Sequence, residues 1–264
     1  MKFQQYILLA LICFGSFLCA QNSGDFIKAS KAFDRLEYSK AEVIFKRAYQ
    51  RSNDRSEKNE IGFKLAQCYF FLGDYKKAEN NLRRTIKMRY ENPMVHYYLA
   101  ECYKAMEKFD KAQEEYANFI RLDPENPKGA LALESLELTR QWIRDGSKYR
   151  VVNAGSEVNS KADDFAPYVK GKKNDELYFT SSREGVLGKN TNHITGQLFT
   201  DIFLVKKSED KKRRKKSSSK MITPPDWDAT SISNIELGLG EVVNLKNSEE
   251  GVVSFNKRGN KMFF

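Results

Sequence analysis

Residues 65–82, LAQCYFFLGDYKKAENNL, and residues 99–116, LAECYKAMEKFDKAQEEY, decide the fold. Leu65, Ala66, Tyr69, Tyr75 and Ala78 of the first stretch fall on Leu99, Ala100, Tyr103, Phe109 and Ala112 of the second, each 34 residues further on. Pro93 and Pro127 keep the same step. An earlier copy survives as Ala29, Phe33, Leu36, Tyr38, Ala41, Phe45 and Ala48, with three extra residues absorbed in the polar stretch 51–58. Such a fixed step marks an internal repeat of one structural unit. Ala66, Ala78, Ala100 and Ala112 belong where two helices approach closely, and the aromatic residues fill the spaces that remain. One pair cannot bury its apolar stripe alone, whereas three stacked pairs share a continuous core. Residues 128–144 read as one further long helix with Leu131, Leu133, Leu136, Leu138 and Ile143, stopped at Asp145-Gly146, and are expected to cap the stack.

These residues resemble the tetratricopeptide repeat, a 34-residue unit of two antiparallel helices. In that family the first helices of successive repeats line a groove that holds a partner peptide or protein. The resemblance implies that Phe63, Gln67, Phe70 and Phe71 of the second repeat and Tyr97, Glu101 and Lys104 of the third line such a groove. An aromatic groove with scattered polar groups suits an extended or helical segment. The alternative is that Phe70 and Phe71 pack between neighbouring repeats.

After residue 149 the pattern changes to strands. Residues 149–153, 163–169, 175–183, 201–205, 249–255 and 259–264 alternate and are parted by Gly and Asn turns, which marks an all-β region. The acidic-Phe-x-Pro start at Asp164-Phe165-Ala166-Pro167, the run Leu177-Tyr178-Phe179-Thr180-Ser181 and the run Asp201-Ile202-Phe203 resemble the PD-type (WD-like) β-propeller repeat of bacterial envelope proteins. The family's Pro-Asp-Gly turn is replaced by Lys170-Gly171-Lys172-Lys173-Asn174, and segments 184–197 and 206–226 are long insertions. About one and a half blades are expected, and a propeller closes with about four to eight. The ending on Met262-Phe263-Phe264 therefore suggests an N-terminal fragment of a longer protein.

The expected fold class is α + β multidomain, a tetratricopeptide α-solenoid followed by an incomplete β-propeller. Residues 1–20 are a signal peptide, 21–148 the three repeats plus capping helix, and 149–264 the start of the propeller with a basic loop at 206–220. Lys2, the apolar run 6–14 and the small Ala20 before Gln21 have the layout of a secretory signal. The run is short for the roughly 30 Å of a bilayer core, which takes about 20 residues, so a membrane anchor is the lesser reading. Cys19 opens a second route, lipid attachment, although Leu18 departs from the small residue usual before a lipidated Cys. Cys68 and Cys102 occupy equivalent repeat positions. Helices that pack at about 8–10 Å hold such positions too far apart for a disulfide, which needs about 5.5 Å, so both are expected as small apolar fillers.

The chain has 264 residues, 45 Lys and Arg against 35 Asp and Glu, and a net charge of +10. Its composition is that of a packed protein, which excludes collagen and wholly disordered chains. Mean hydropathy of -0.63 excludes a polytopic membrane protein. Nine basic and two acidic residues crowd into 206–220, so the charge excess is a local tract. Secretion and the lack of interleaved aromatics argue against nucleic acid, and a self-repelling loop is the expectation, with contact to anionic lipid or sugar phosphate secondary.

Catalysis finds little support. His96 lies in a repeat helix and His193 in an insertion, Asp163-Asp164 has no companion cluster, and no phosphate-cradling Gly-rich loop or zinc spacing occurs. No cofactor, metal or catalytic residue is expected. The order of signal, repeats and propeller blades is similar to envelope proteins of Bacteroidota-type bacteria, among them OmpA-family proteins and the PorE-type component of type IX secretion. That likeness implies a periplasmic or outer-membrane scaffold with a protein partner in the groove and peptidoglycan held by a domain beyond Phe264. The competing readings are a propeller-gated serine peptidase whose catalytic domain lies beyond the C-terminus, and a stand-alone repeat chaperone.

Overall fold

A computed structural model describes residues 24–171, 174–207, 227–234, 236–237 and 241–264. The expected signal peptide with Cys19, and the basic loop from residue 208 onward, lie outside the described residues. The chain divides into a helical unit, up to Lys148 with His193–Gly196, and a β unit, Tyr149–Asn192 with Gln197–Phe264.

The helical unit contains seven helices among the described residues: α1 (24–34), α2 (Tyr38–Arg51), α3 (Arg55–Phe71), α4 (Tyr75–Lys87), α5 (Met94–Ala105), α6 (Phe109–Leu122) and α7 (Pro127–Asp145). From α2 on, each helix packs on the next, α1 meets α2 through Phe26 and Phe33 against Phe45, and α3 also touches α5, so odd-numbered helices form one layer and even-numbered helices the other. The small residues sit where the layers meet. Ala29, Ala41, Ala66, Ala78, Ala100 and Ala112 are completely buried. Phe45, Ile61, Leu82, Leu99 and Tyr116 fill the space between them, so the core runs through all three pairs.

The turn inside each pair is built the same way three times. Leu36, Gly73 and Glu107 all take the left-handed conformation, with φ of 63°, 77° and 59°. In each, the N–H of the following residue reaches back to the last turn of the helix: Glu37 to Ala32, Asp74 to Tyr69 and Lys108 to Tyr103. This closes the orphan carbonyls of the helix end, and Gly serves the position without strain. Two helix starts are capped by Asp54, which accepts from the Glu57 N–H at 2.7 Å, and Asp74, which accepts from the Lys77 N–H at 3.1 Å. Asn126 caps α7, with Pro127 at its first position.

Helix α7 docks on α6 through Gly129, where an added Cβ would lie 2.5 Å from an Ile120 side-chain carbon. Ala132 and Leu136 complete the buried face. The expected leucine stripe is only partly right: Leu131, Leu138 and Ile143 are 62%, 41% and 59% exposed. At about 100° per residue, Leu131 and Leu138 fall on a different side of the helix from Gly129, Ala132 and Leu136. Cys68 and Cys102 are buried and free, and burial pushes both thiols up to about 12.

In the β unit, β1 (Asp164–Lys170), β2 (Glu176–Ser181), β3 (Asp201–Lys207) and β4 (Trp227–Asn234) form one antiparallel sheet in sequence order. The hairpins β5/β6 (Glu236–Leu237, Glu241–Val242) and β7/β8 (Ser254–Phe255, Met262–Phe263) have two-residue strands. The expected strand at 149–153 does not form: Tyr149 and Val151 are 83% and 92% exposed, so nothing buries one face of it. Strand β4 is an addition to the sequence reading. Residues Leu177, Phe179, Phe203 and Val205 pack with Val158 on one side of the sheet; Tyr178 and Ile202 pack with Val243 and Val253 on the other.

The acidic-Phe-x-Pro start is structural. Asp164 accepts from Ser181 Oγ at 2.6 Å and pairs with Arg183 Nη2 at 2.5 Å. The Arg183 guanidinium lies 4.7 Å from the Phe179 ring centre and also donates to the carbonyls of Glu157 and Val158. Ala166, at φ 52°, marks a bulge between Phe165 and Tyr168 that places Pro167 on an edge strand, where its missing N–H costs no ladder bond. Past the end of β4, Asn244 takes the place of a strand: its side-chain amide exchanges hydrogen bonds of 2.8 and 2.9 Å with the Ile202 backbone.

Candidate partner-binding face

A continuous series of rings runs along the helices of both layers. Phe71 stacks on Tyr38 with centres 4.4 Å apart, and contacts Phe33 at 6.2 Å and Tyr98 at 6.2 Å. Tyr98 meets Phe70 at 5.4 Å and Phe63 at 5.9 Å, and Tyr97 joins it to Phe119. Edge-to-face pairs of this kind are each worth about 0.5–1.5 kcal/mol beyond the area they bury. The rings therefore knit the three pairs together.

That use of the rings redistributes the seven expected groove residues. Phe63 and Gln67 are 4% and 8% exposed and present almost no surface. Phe70 is half-buried between Tyr75 and Tyr98, so it packs between repeats. Phe71 packs there too yet stays 42% exposed. Tyr97, Glu101 and Lys104 are half-buried on α5. The residue pattern did not single out Tyr98, which touches rings of both repeats, because the repeat alignment marks Tyr103 as the conserved-type aromatic position on that helix.

The α5 trio is tied to α7. Lys104 Nζ donates to Ser135 Oγ at 3.0 Å, and Lys128 Nζ stands 5.5 Å from the Tyr97 ring centre. Glu101 accepts from Tyr116 Oη at 2.5 Å. Burial, reinforced by Glu101, raises the Tyr116 and Tyr97 hydroxyls above the usual tyrosine range, so both remain protonated donors at neutral pH. Ser135 lies on the same side of α7 as Leu131, Leu138 and Trp142, which are 62%, 41% and 69% exposed. The outcome is one face across α5 and α7: a tyrosine and three large apolar groups, with a lysine, a carboxylate and a serine already engaged with each other. Positions 131, 135, 138 and 142 step along successive helical turns, a stripe offset from the buried one.

This face holds apolar side chains and a few hydrogen-bonding groups. Among the described residues no group of three or more His, Cys, Asp or Glu side chains is placed to hold a metal ion. His96 Nδ1 lies 2.6 Å from Glu115 Oε2, within the helix stack. No helix of the described residues is long and apolar enough to cross a membrane.

The family model that matches the chain falls within the helical unit. Residues 34–118 match the family model described as anaphase-promoting complex, cyclosome, subunit 3. Among solved structures, the C-terminal repeat domain of a putative FK506-binding protein from Plasmodium falciparum is 20% identical, with a TM-score of 0.42 over 47% of this chain and 91% of that one. The repeat domain of Sgt2 from Aspergillus fumigatus is 16% identical, with a TM-score of 0.43 over 51% and 89%. The Yersinia enterocolitica secretion chaperone SycD, solved with a peptide of the translocator YopD, is 17% identical, with a TM-score of 0.40 over 45% and 93%. No curated protein matches the chain.

Proposed function

We propose that this protein is a non-catalytic adaptor whose repeat array grips a partner protein segment on the α5/α7 face. The observation that carries the reading is the exposed stripe Leu131, Leu138 and Trp142, continuous with Tyr97 through the Lys104–Ser135 bond. Apolar groups of this size left on one face of a packed unit mark an interaction surface. A helical or extended segment with large apolar side chains fits it, because the polar groups present are already satisfied.

The wider reading places the adaptor in the bacterial envelope. Its support is the charged start, apolar run and small residue of segment 1–20, together with the similarity of the segment order to PorE-type and OmpA-family proteins. In this reading the signal is removed after Ala20, the β unit is a propeller blade offering a second surface, and the assembly links a type IX secretion complex to the cell wall. The blade assignment draws on the four-stranded meander in sequence order.

A photo-crosslinking residue placed at Leu138 tests the central part. It is expected to capture one protein, and Trp142→Asp is expected to abolish that product. Equal capture from Arg83, on α4, would contradict the assignment. Cell fractionation tests the envelope placement, and a full-length, cytosolic product would overturn it.

A further inference from the structure

A second surface, unrelated to the groove face, lies on α4. Lys76, Lys77, Asn80, Arg83, Arg84 and Lys87 are all exposed. At about 100° per residue they share one arc of roughly 120°, running about 16 Å along the helix. Asn80, Arg83, Arg84 and Lys87 line a shallow crevice along it. The acidic residue of this helix, Glu79, is buried on another side, where Arg83 at 3.6 Å and Lys108 at 3.4 Å share it. Lys77 pairs with Asp74 at 2.6 Å. Lys76, Arg84 and Lys87 meet no carboxylate among the described residues.

The neighbouring helices show that this imbalance is local. On α2, Arg51 and Arg47 are matched by Asp25 at 2.8 and 3.9 Å. On α6, Asp110, Glu114 and Glu115 outnumber Lys111 and Arg121. Like charges three or four residues apart repel, so α4 carries a standing destabilisation that an anionic partner would relieve. Arg84 also sits 5.2 Å from the Tyr49 ring centre, which holds the guanidinium in place along the stripe.

We propose that the outer face of α4 docks on a phosphate-bearing anionic lipid surface. Three features select this occupant. The cations form a row along one helix beside an open, shallow crevice, which fits a flat array of headgroups. The arc carries no exposed aromatic or aliphatic side chain, so it lacks the stacking platform that single-stranded nucleic acid uses and the anchors that a protein segment uses. Adjacent Arg83 and Arg84 offer planar donor forks suited to phosphate oxygens. The partner is thus read from charge and shape, and the proposal stands whether or not the groove face binds protein.

The test is co-sedimentation of the full chain with vesicles of phosphatidylcholine alone and with about one third phosphatidylglycerol, reading the gain on anionic vesicles. Each cation near such a surface is worth about fivefold in partition. The triple change Arg83→Glu, Arg84→Glu, Lys87→Glu is expected to cut the gain by more than about tenfold. The neutral triple Arg83→Gln, Arg84→Gln, Lys87→Gln is expected to do so less strongly, and both should keep the wild-type helical circular dichroism because the positions are exposed. A matched triple in the basic tract, Lys211→Glu, Lys212→Glu, Arg213→Glu, should lose less than the α4 triple. The proposal is overturned if the α4 triple sediments like wild type, or if the two glutamate triples lose equally. It is also overturned in favour of nucleic acid if duplex DNA binds as tightly as the vesicles and that binding disappears in the α4 triple.

Discussion

Glu107 shows how a single residue can be out of keeping with its position. It occupies the left-handed turn that Gly73 fills in the preceding repeat. An L-residue there costs about 1 kcal/mol that glycine avoids. Glu107→Gly is therefore expected to raise stability by about 1 kcal/mol in urea unfolding, with the m-value unchanged. Tyr98 makes the opposite case. It touches four rings, so Tyr98→Ala should cost about 3 kcal/mol, whereas Tyr98→Phe should cost under about 1 kcal/mol. Equal losses for the two variants would show that the ring contacts are not what holds the repeats together. The repeat spacing put the alanines in their correct burial at once, because steric fit repeats every 34 residues. Tyr98 escaped it because that position is aromatic in one copy and Lys64 in the other.

Helix α7 carries the clearest division between core and surface at the scale of an element. Leu136→Ala should cost about 3 kcal/mol, since Leu136 is 2% exposed. Leu131→Ala and Trp142→Ala should each change stability by less than about 0.5 kcal/mol while weakening partner capture. A stability loss at Trp142 comparable to that at Leu136 would show that the exposed stripe is part of the fold and not a docking face. The helix itself was evident from its leucines and its Asp145-Gly146 stop. Which leucines face inward depends on Gly129, the point of closest approach to α6, and a list of leucines does not supply that. Strand β4 was missed for a related reason: WDATSISN has few large apolar residues, and its partner β3 lies beyond a long insertion. Segment 149–153 has the residues of a strand, yet Tyr149 and Val151 stay exposed, so composition favoured it and packing did not.

At the scale of the whole molecule, the two units should respond differently to acid. Burial raises the carboxyl pKa of Asp201 and of Glu250, and Asp201 further raises Glu250. Asp201 is 1% exposed and accepts from the Leu187 N–H at 2.8 Å. An acid with a raised folded-state pKa favours folding fully below its unfolded pKa and loses that benefit as pH rises through the folded value. The urea midpoint of the β unit should therefore rise as pH falls from neutrality towards the ordinary carboxylate range, and Asp201→Asn should flatten the slope. A midpoint that falls steadily over that interval would contradict the burial of these two groups. The 34-residue period, a property of local sequence, made the helical unit readable end to end. Much of the β unit depends on long-range pairings such as Asn244 with Ile202, which no local pattern encodes. The most direct measurement of the adaptor account is hydrogen–deuterium exchange of the full chain with and without its crosslink-identified partner. Added protection confined to Met94–Ala105 and Pro127–Asp145 is the predicted result. Protection on α2 and α4, with α5 and α7 unchanged, would contradict it.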